Sequence, residues 1–303
     1  MQSENPTFFH EFGAKMKLSE FLADIAQSLR VLASRPSSDQ VVIGDANAYQ
    51  WEGSTSQLMP VHNVNRVALD LLQGIEPQKR TLFDNSLQFA KGLGANNALL
   101  WGAKGMGKSS IVKAIHGEIV EQASHENGIK RLILVEIHRE DIATLPELMR
   151  KLATQDMQFL VYCDDLSFDR EETDYKALKT VLDGGLEGRP KNVLFYATSN
   201  RRHLMPREMI DNEARAAIHS NEANDEKVSL SDRFGLWIGF HNCDQDTYLD
   251  MIRGYCDYFG IEEEADALRA AAIEWAATRG SRSGRVAIQF VRHLAGKKGR
   301  AIS

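Results

Sequence analysis

Five short apolar runs recur along the middle of the chain, and each of the first three is followed by a predicted helix (from Lys108, around 145–152 and around 175–186). They lie between about residues 98 and 240 and read ALLW, LILVEI, FLVYC, NVLFYA and LWIGF. Strands that are covered by helices on both sides are almost continuously apolar, because neither face meets water. The pattern therefore predicts an α/β fold in which a parallel sheet has helices on both faces.

The segments on either side of this region show other patterns. Residues 1–70 combine a helix-spaced apolar pattern near 18–32 with two strand-like segments, VVIG and AYQWEGSTSQLMPV. After residue 242, three helical stretches near 245–259, 262–278 and 284–297 follow without strands. We therefore expect an N-terminal module over 1–70, an α/β domain over 71–242 and a small all-helical domain over 243–303. The polar stretch 204–231 is interpreted as a long insertion.

The amino-acid composition indicates the cellular compartment and the kinds of partner to expect. The formal net charge of -6 disfavours indiscriminate binding to phosphate backbones, although a local basic patch remains compatible with it. The three cysteines form no CxxC pair, which indicates neither a disulfide framework nor a zinc site and favours a reducing cytoplasm. The chain has no signal-peptide pattern and no apolar stretch near the roughly 20 residues of a membrane span. We expect a cytoplasmic protein without a membrane partner.

The clearest chemical motif follows the run ALLW and opens a predicted helix. It consists of Gly102, Ala103, Lys104, Gly105, Met106, Gly107, Lys108, Ser109 and Ser110. Residues 102–109 fit the pattern G-x-x-x-x-G-K-[ST], in which glycines let backbone N–H groups turn toward phosphates. Lys108 would supply charge at the β- and γ-phosphates of ATP, and Ser109 would hold Mg²⁺. The alternative is a glycine-rich turn without a ligand.

A second motif ends the run FLVYC with Asp164 and Asp165. A buried parallel strand delivers its last residues to the carboxyl edge of the sheet, where the phosphate-binding loop also lies. Asp164 would then position Mg²⁺, and Asp165 would orient or deprotonate the attacking water. An acid at a strand end is also common as a turn or helix-cap residue.

Three further polar residues occupy positions where a nucleotide could be contacted. Asn200 follows the run NVLFYA, Arg233 precedes LWIGF, and Arg285 opens the last predicted helix. Asn200 could reach the γ-phosphate, and the arginines could contact phosphate oxygens. Taken alone, Asn200 also fits an ordinary turn asparagine, and Arg233 and Arg285 also fit solvated surface charges.

In order along the chain, the segments GAKGMGKS, FLVYCDD, ATSN, SDRFG and SRSGRVAIQF resemble the Walker A, Walker B, sensor 1, arginine-finger and sensor 2 elements of AAA+ ATPases. The segment 72–76, which contains Gly74 and Ile75, resembles the box that cradles adenine in these proteins. The run GIEPQKRTLFDNSLQFAKG and the later segments around CDDLSFD and LFYATSN also resemble an uncharacterised bacterial family catalogued as domain of unknown function 815. The resemblance covers residues from about 60 to 298.

The resemblance implies a P-loop AAA+ sheet followed by a helical lid, with ATP and Mg²⁺ as ligands. It implies that Lys108 and Ser109 bind phosphate and metal, Asp164 supports the metal, and Asn200 senses the γ-phosphate. It further implies that Arg233 acts on a neighbouring subunit's nucleotide and that Arg285 couples the lid to the nucleotide. Many members carry Glu where this chain has Asp165, which puts fast turnover in doubt.

Two functions fit this pattern. One is an ATPase that assembles as a homo-oligomer, a ring or a helical assembly, and remodels a macromolecule. The other is a nucleotide-gated scaffold or loader that binds ATP with little turnover. The partner is a protein client or nucleic acid; the basic residues Arg282, Arg285, Arg292, Lys297, Lys298 and Arg300 provide a candidate phosphate contact or a solvated, frayed tail.

Overall fold

The computed structural model describes residues 42–168, 172–184, 188–202, 204, 230 and 232–302. These residues belong to one compact unit that runs from Val41 to Ser303. The predicted N-terminal helix near 18–32 lies outside the described residues. Of the predicted insertion over 204–231, only Leu204 and Leu230 are described, and both side chains are buried.

Seven strands of the described chain form one sheet in the order β2-β1-β4-β5-β6-β3-β7. They are β1 (Ala48–Glu52), β2 (Gln57–Pro60), β3 (Ala98–Gly102), β4 (Leu132–Ile137), β5 (Gln158–Cys163), β6 (Val193–Ser199) and β7 (Leu236–Phe240). The β1–β2 pair is antiparallel, and every other neighbouring pair is parallel. Because β3 lies between β6 and β7, the loop after β3 opens at the carboxyl edge beside the end of β6, one strand away from the end of β5.

Seven α-helices of the described chain cover the sheet or extend from it. They are α1 (Glu76–Ala90), α2 (Lys108–Ala123), α3 (Leu145–Ala153), α4 (Glu172–Asp183), α5 (Gln245–Phe259), α6 (Ala265–Arg279) and α7 (Gly284–Lys297). Short 3-10 helices occur at Leu69–Leu71 and Arg139–Thr144. Gly260 and Gly280 end α5 and α6 in the left-handed conformation that glycine adopts most easily.

Alternate residues of the strands β1, β3, β4, β5 and β6 enter two different hydrophobic clusters. On β5, Leu160 and Tyr162 pack with α1, α2 and the C-terminal helices, whereas Phe159, Val161 and Cys163 pack with α3 and α4. Side chains alternate across a strand with a period of two, so a strand buried on both faces needs apolar residues at every position. This explains the unbroken apolar runs and confirms the predicted sheet with helices on both faces.

The hairpin β1–β2 belongs to the central sheet and not to a separate module. Residues 48–60 were placed in the N-terminal module over 1–70, but β1 pairs in parallel with β4, with Ala48 opposite Leu134. Trp51 is fully buried, and its Nε1–H donates to Thr144 Oγ1 at 2.8 Å. The sheet therefore begins before the boundary expected at residue 70, because β1 gains both hydrogen bonds and burial from β4.

Other predicted elements differ in extent. The segment VVIG was expected to be a strand, but residues 42–44 have no strand conformation, and Val42 is 85% exposed. An apolar segment forms a strand only where a neighbour supplies hydrogen bonds, and β1 already pairs with β2 and β4. The helix expected near 175–186 runs instead over Glu172–Asp183, and Gly184 follows it with a φ of 80°.

The C-terminal helices pack on the same hydrophobic cluster as the sheet. Tyr248 of α5 and Phe290 of α7 are buried in the cluster that contains Leu100 and Ile111. The backbone N–H of Arg285 donates to the carbonyl of Gly105 at 3.1 Å, which joins the start of α7 to the loop after β3. Across the described ranges, no helix is long and apolar enough to cross a bilayer.

Candidate functional site

The loop between β3 and α2 follows a path that requires glycine. Gly105 and Gly107 have φ values of 75° and 88°, in the left-handed region that costs other residues free energy. A Cβ on Gly102 would lie 2.0 Å from the carbonyl oxygen of Phe240, which is closer than atoms can approach. The loop therefore places the N-terminus of α2, with its free N–H groups and positive dipole end, at the carboxyl edge of the sheet.

Lys108 is the first residue of α2, and its side chain turns back beneath the loop. Its Nζ donates to the carbonyls of Gly102 and Ala103 at 2.9 and 2.8 Å and to Oδ1 of Asn200 at 3.1 Å. Burial lowers the pKa of Lys108, and the charges of Asp164 and Asp165 oppose that shift. A buried ammonium group is therefore held at the edge where the sequence predicts phosphate binding.

Asp164 follows β5 and accepts two hydrogen bonds. The hydroxyl of Ser109 donates to its Oδ1 at 2.6 Å, and the hydroxyl of Thr198 donates to the same atom at 2.5 Å. Burial alone would raise the pKa of Asp164, but the hydrogen bonds from Ser109 and Thr198 outweigh it and leave the pKa below its ordinary value. Asp164 is therefore a carboxylate at neutral pH, with its charge directed at the start of α2.

Asp165 adopts an unusual backbone conformation beside Asn200. Its φ is 50°, in the left-handed region that few non-glycine residues occupy. Its backbone N–H donates to the Thr198 hydroxyl at 2.9 Å, and Asn200 Nδ2 donates to its Oδ1. Strained conformations of this kind persist where the surroundings hold them, and they concentrate at functional sites.

Thr198 supports both acidic residues and was not identified from the sequence. The parallel pairing of β5 with β6 places Cys163 opposite Ala197, so the next residues, Asp164 and Thr198, are neighbours at the edge. The segment ATSN contains this threonine two positions before Asn200. The register of the β5–β6 pairing is what shows that Thr198 lies beside Asp164, and this register cannot be derived from the sequence alone.

A cavity of about 570 Å³ lies above these residues and extends under the C-terminal helices. Part of its lining, called the polar end, consists of residues 104–110, Asp164, Asp165, Thr198 and Asn200, several of which are hydrogen-bonded to one another. The rest of its lining, called the apolar end, is largely apolar and includes Leu71, Leu72, Ile75, Met251, Tyr255 and Ile288. A pocket of this size with one charged end and one apolar end suits a ligand that carries both phosphates and a flat ring.

Most of the residues predicted to bind nucleotide line this cavity. Ile75 and Arg285 are among them, together with Lys104, Gly105, Met106, Gly107, Lys108, Ser109 and Ser110. Gly102 and Ala103 contribute through the carbonyls that accept from Lys108. Gly74 lies beside Thr247, whose Cγ2 would be 2.3 Å from an added Cβ, and it is not part of the cavity lining.

Arg233 lies away from the cavity. Its Nε pairs with Oδ1 of Asp183, the last residue of α4, at 2.5 Å. Within the described part of the chain, the cavity lining does not include Arg233. The structure therefore does not bring Arg233 to the cavity beside the loop between β3 and α2 of its own chain.

The basic residues near the C-terminus do not form one patch. Lys298 pairs with Glu263 at 2.9 Å, and the guanidinium of Arg300 donates to the carbonyl of Gly260. Arg292 lines the cavity instead. Lys298 and Arg300 therefore both contact the loop at residues 260–263, and these contacts do not support the interpretation of a frayed, solvated basic tail at the two residues.

Solved structures with a similar fold share little sequence with this chain. The Aeropyrum pernix Orc1 protein in complex with DNA is 14% identical with a TM-score of 0.53, and the match covers 78% of this chain and 66% of that one. The Thermotoga maritima RuvB Holliday junction branch migration motor is 15% identical with a TM-score of 0.48, covering 77% and 66%. The walker-type ATPase PABY2304 of Pyrococcus abyssi is 16% identical with a TM-score of 0.46, covering 78% and 71%.

This chain spans just under two thirds of the Orc1 and RuvB chains, at 66% of each. Together with the strand order and the loop before α2, the likeness to Orc1 confirms the predicted fold, a P-loop AAA+ sheet followed by a helical lid. No curated protein matches the chain. A family model described as "Protein of unknown function (DUF815)" matches residues 44–298. The chain therefore belongs to the DUF815 family.

Proposed function

We propose that this protein binds ATP with Mg²⁺ in the cavity and hydrolyses it to ADP and phosphate. The observation that carries the proposal is the convergence of Lys108, Ser109, Asp164, Asp165 and Asn200 at one end of a single cavity. In this position the ammonium group of Lys108 and the N-terminus of α2 stabilise phosphate charge. The apolar end of the cavity then receives the adenine ring.

The residues around Asp164 fit Mg²⁺. Its carboxylate and the hydroxyls of Ser109 and Thr198 are hard oxygen donors within hydrogen-bond distance of one another. Mg²⁺ keeps several water and phosphate ligands and therefore needs few ligands from the protein. When bound, the ion would neutralise charge on the phosphates, with Ser109 and Asp164 holding it.

The remaining polar residues would prepare the attacking water. Asp165 carries a carboxylate that can accept a proton, and Asn200 holds that carboxylate by donating from Nδ2. The amide of Asn200 also contacts Lys108, so it lies between the phosphate-binding and the water-activating groups. In this proposal Asn200 would align the γ-phosphate with the water.

Calorimetry of Mg-ATP binding tests the site directly. Lys108→Ala should abolish or greatly weaken binding, because the loop loses the lysine at the β- and γ-phosphates. Lys91→Ala serves as the control, since Lys91 follows α1 and pairs with Glu126 away from the cavity. Equal ATP affinity in Lys108→Ala and Lys91→Ala would refute the assignment of the loop.

We propose further that the protein acts as a homo-oligomer, a ring or a helical assembly, in which Arg233 reaches the nucleotide of a neighbouring subunit. The location of Arg233 outside its own cavity supports this role. A mixture of Arg233→Ala and Lys108→Ala, each inactive alone, should regain part of the activity, because the second variant supplies the arginine to the intact loop of the first. Absence of rescue in mixtures that co-assemble would contradict the role in trans.

The assembly would remodel a macromolecular partner, which is a protein or a nucleic acid. An Asp165→Asn variant that binds ATP without hydrolysing it should retain the partner and can be used to isolate it. Lys298 and Arg300 are exposed but make contacts within the helical domain, so they do not by themselves favour nucleic acid over protein. Nuclease treatment of the isolated complex distinguishes the two classes of partner.

A nucleotide-gated scaffold with little turnover is the second candidate. The observation that favours it is the identity of Asp165, whose side chain is one methylene shorter than the Glu that many AAA+ members carry. In that case ATP would be retained, and partner recruitment would follow ATP occupancy and not hydrolysis. The steady-state rate of ATP hydrolysis distinguishes the two functions, because the ATPase hydrolyses ATP steadily and the scaffold retains it.

A further inference from the structure

Two arginines of α7 line the cavity at positions seven residues apart, Arg285 and Arg292. Seven residues make nearly two turns of an α-helix, so both side chains leave the same face and are separated by about 10.5 Å along the axis. Neither guanidinium has a hydrogen bond or an ion pair to another of the described residues. The helix therefore presents two uncompensated cations along the length of one cavity.

The first arginine lies at the phosphate-binding end. The backbone N–H of Arg285 donates to Gly105, and a Cβ on Gly105 would lie 3.1 Å from the Cβ of Arg285. Its charge also contributes to the lowered pKa of Lys108, after burial as the main cause. Arg285 is therefore assigned to the phosphate groups of the nucleotide.

The second arginine lies at the apolar end, beside Tyr255. Burial raises the pKa of Tyr255, and the nearby charge of Arg292 opposes that shift. Ile288 lies one turn before Arg292 on the same helix and also lines the cavity. Apolar and aromatic side chains here would suit a flat ring, and a guanidinium group stacks well on such a ring because it is planar and weakly hydrated.

We propose that Arg292 binds the nucleoside half of the nucleotide by stacking its guanidinium group on the base. This inference rests on the proposed ATP site. It assigns different halves of one ligand to two arginines of the same helix: Arg285 to the phosphates and Arg292 to the base.

The test compares the affinities of ATP, ADP and tripolyphosphate in variants of the full chain. Arg292→Ala should weaken ATP and ADP by the same factor, about three- to thirtyfold, and leave competition by tripolyphosphate unchanged. Arg285→Ala should weaken the binding of ATP more than that of ADP and should also weaken the binding of tripolyphosphate.

Arg292→Lys keeps the charge without the planar group, and its affinity for ATP and ADP should fall between those of wild type and Arg292→Ala. Arg269→Ala, at an exposed position on α6, is the control and should bind as wild type does.

Unchanged affinities in Arg292→Ala would overturn the inference, and so would a loss that is larger for ATP than for ADP or a loss of tripolyphosphate binding. Either of the last two results would place Arg292 at the phosphates. Failure of the ATP site itself has a different signature, because wild type would then bind neither nucleotide and Lys108→Ala would change nothing. Thermal unfolding of each variant shows whether the helical domain is intact.

Discussion

The side-chain amide of Asn200 connects Lys108 to Asp165. Its Oδ1 accepts from Nζ of Lys108 at 3.1 Å, and its Nδ2 donates to the carboxylate of Asp165. One residue therefore contacts both the cation expected at the phosphates and the acid expected at the water. A nucleotide that draws Lys108 toward its phosphates would remove one of these contacts and leave the other.

Asn200→Ala should separate binding from hydrolysis. We expect ATP affinity to change little, because the loop and Lys108 remain, and the hydrolysis rate to fall by about 10²-fold, as for loss of a single transition-state hydrogen-bond donor. Calorimetry and phosphate release measured on the same preparation test this. A variant that hydrolyses ATP at the wild-type rate would remove Asn200 from the catalytic machinery.

Thr198→Val should destabilise the protein and disturb the metal-binding residues. The threonine hydroxyl donates to Asp164 and accepts from the N–H of Asp165, so valine leaves both groups without this partner. We expect a loss of about 1–3 kcal/mol in the free energy of unfolding and a higher Mg²⁺ requirement. Thr198→Ser keeps the hydroxyl and should resemble wild type. Equal stability of the valine and serine variants would show that these hydrogen bonds contribute nothing.

His116 should make stability depend on pH. It is buried on α2, its Nε2 contacts the carbonyl of Leu132 at 3.2 Å, and burial lowers its pKa from 6.5 to about 4. Between these values the unfolded chain binds a proton that the folded chain does not. The stability from neutral His116 is thus complete above pH 6.5 and is lost as the pH falls toward 4, by about 3 kcal/mol in total.

Denaturant unfolding at pH 7 and pH 4.5 measures this contribution. His116→Gln keeps a donor for the Leu132 carbonyl and removes the titration, so its stability should fall less over the same interval. If both proteins lose equal free energy of unfolding, His116 does not stay neutral in the folded chain.

The sequence predicts the part of the site that one continuous motif supplies. The loop from Gly102 to Ser109 follows a strand and opens a helix, and its role requires that local order. Asp164 and Asn200 were also identified, because residues after parallel strands meet at one edge. These predictions depend on local pattern and on a general property of parallel sheets.

The apolar end of the cavity was largely missed for a physical reason. Met251, Tyr255 and Ile288 lie far in sequence from the segment 72–76, and apolar residues at helical spacing are expected simply to pack in a core. Likewise, β1 pairs with a strand that begins 80 residues later, so nothing local shows that the hairpin joins the sheet. Contacts between distant segments decide both features.

Steady-state release of phosphate from ATP, with Mg²⁺ present, tests the central claim most directly. Wild type should hydrolyse ATP, and Asp165→Asn should bind ATP with nearly unchanged affinity but hydrolyse it at least about 10²-fold more slowly, because an amide cannot accept the proton of the attacking water. Lys108→Ala should show neither binding nor hydrolysis. Turnover that persists at the wild-type rate in Asp165→Asn and Lys108→Ala would contradict an ATPase site at this cavity, and tight ATP binding without turnover in wild type would identify the nucleotide-gated scaffold instead.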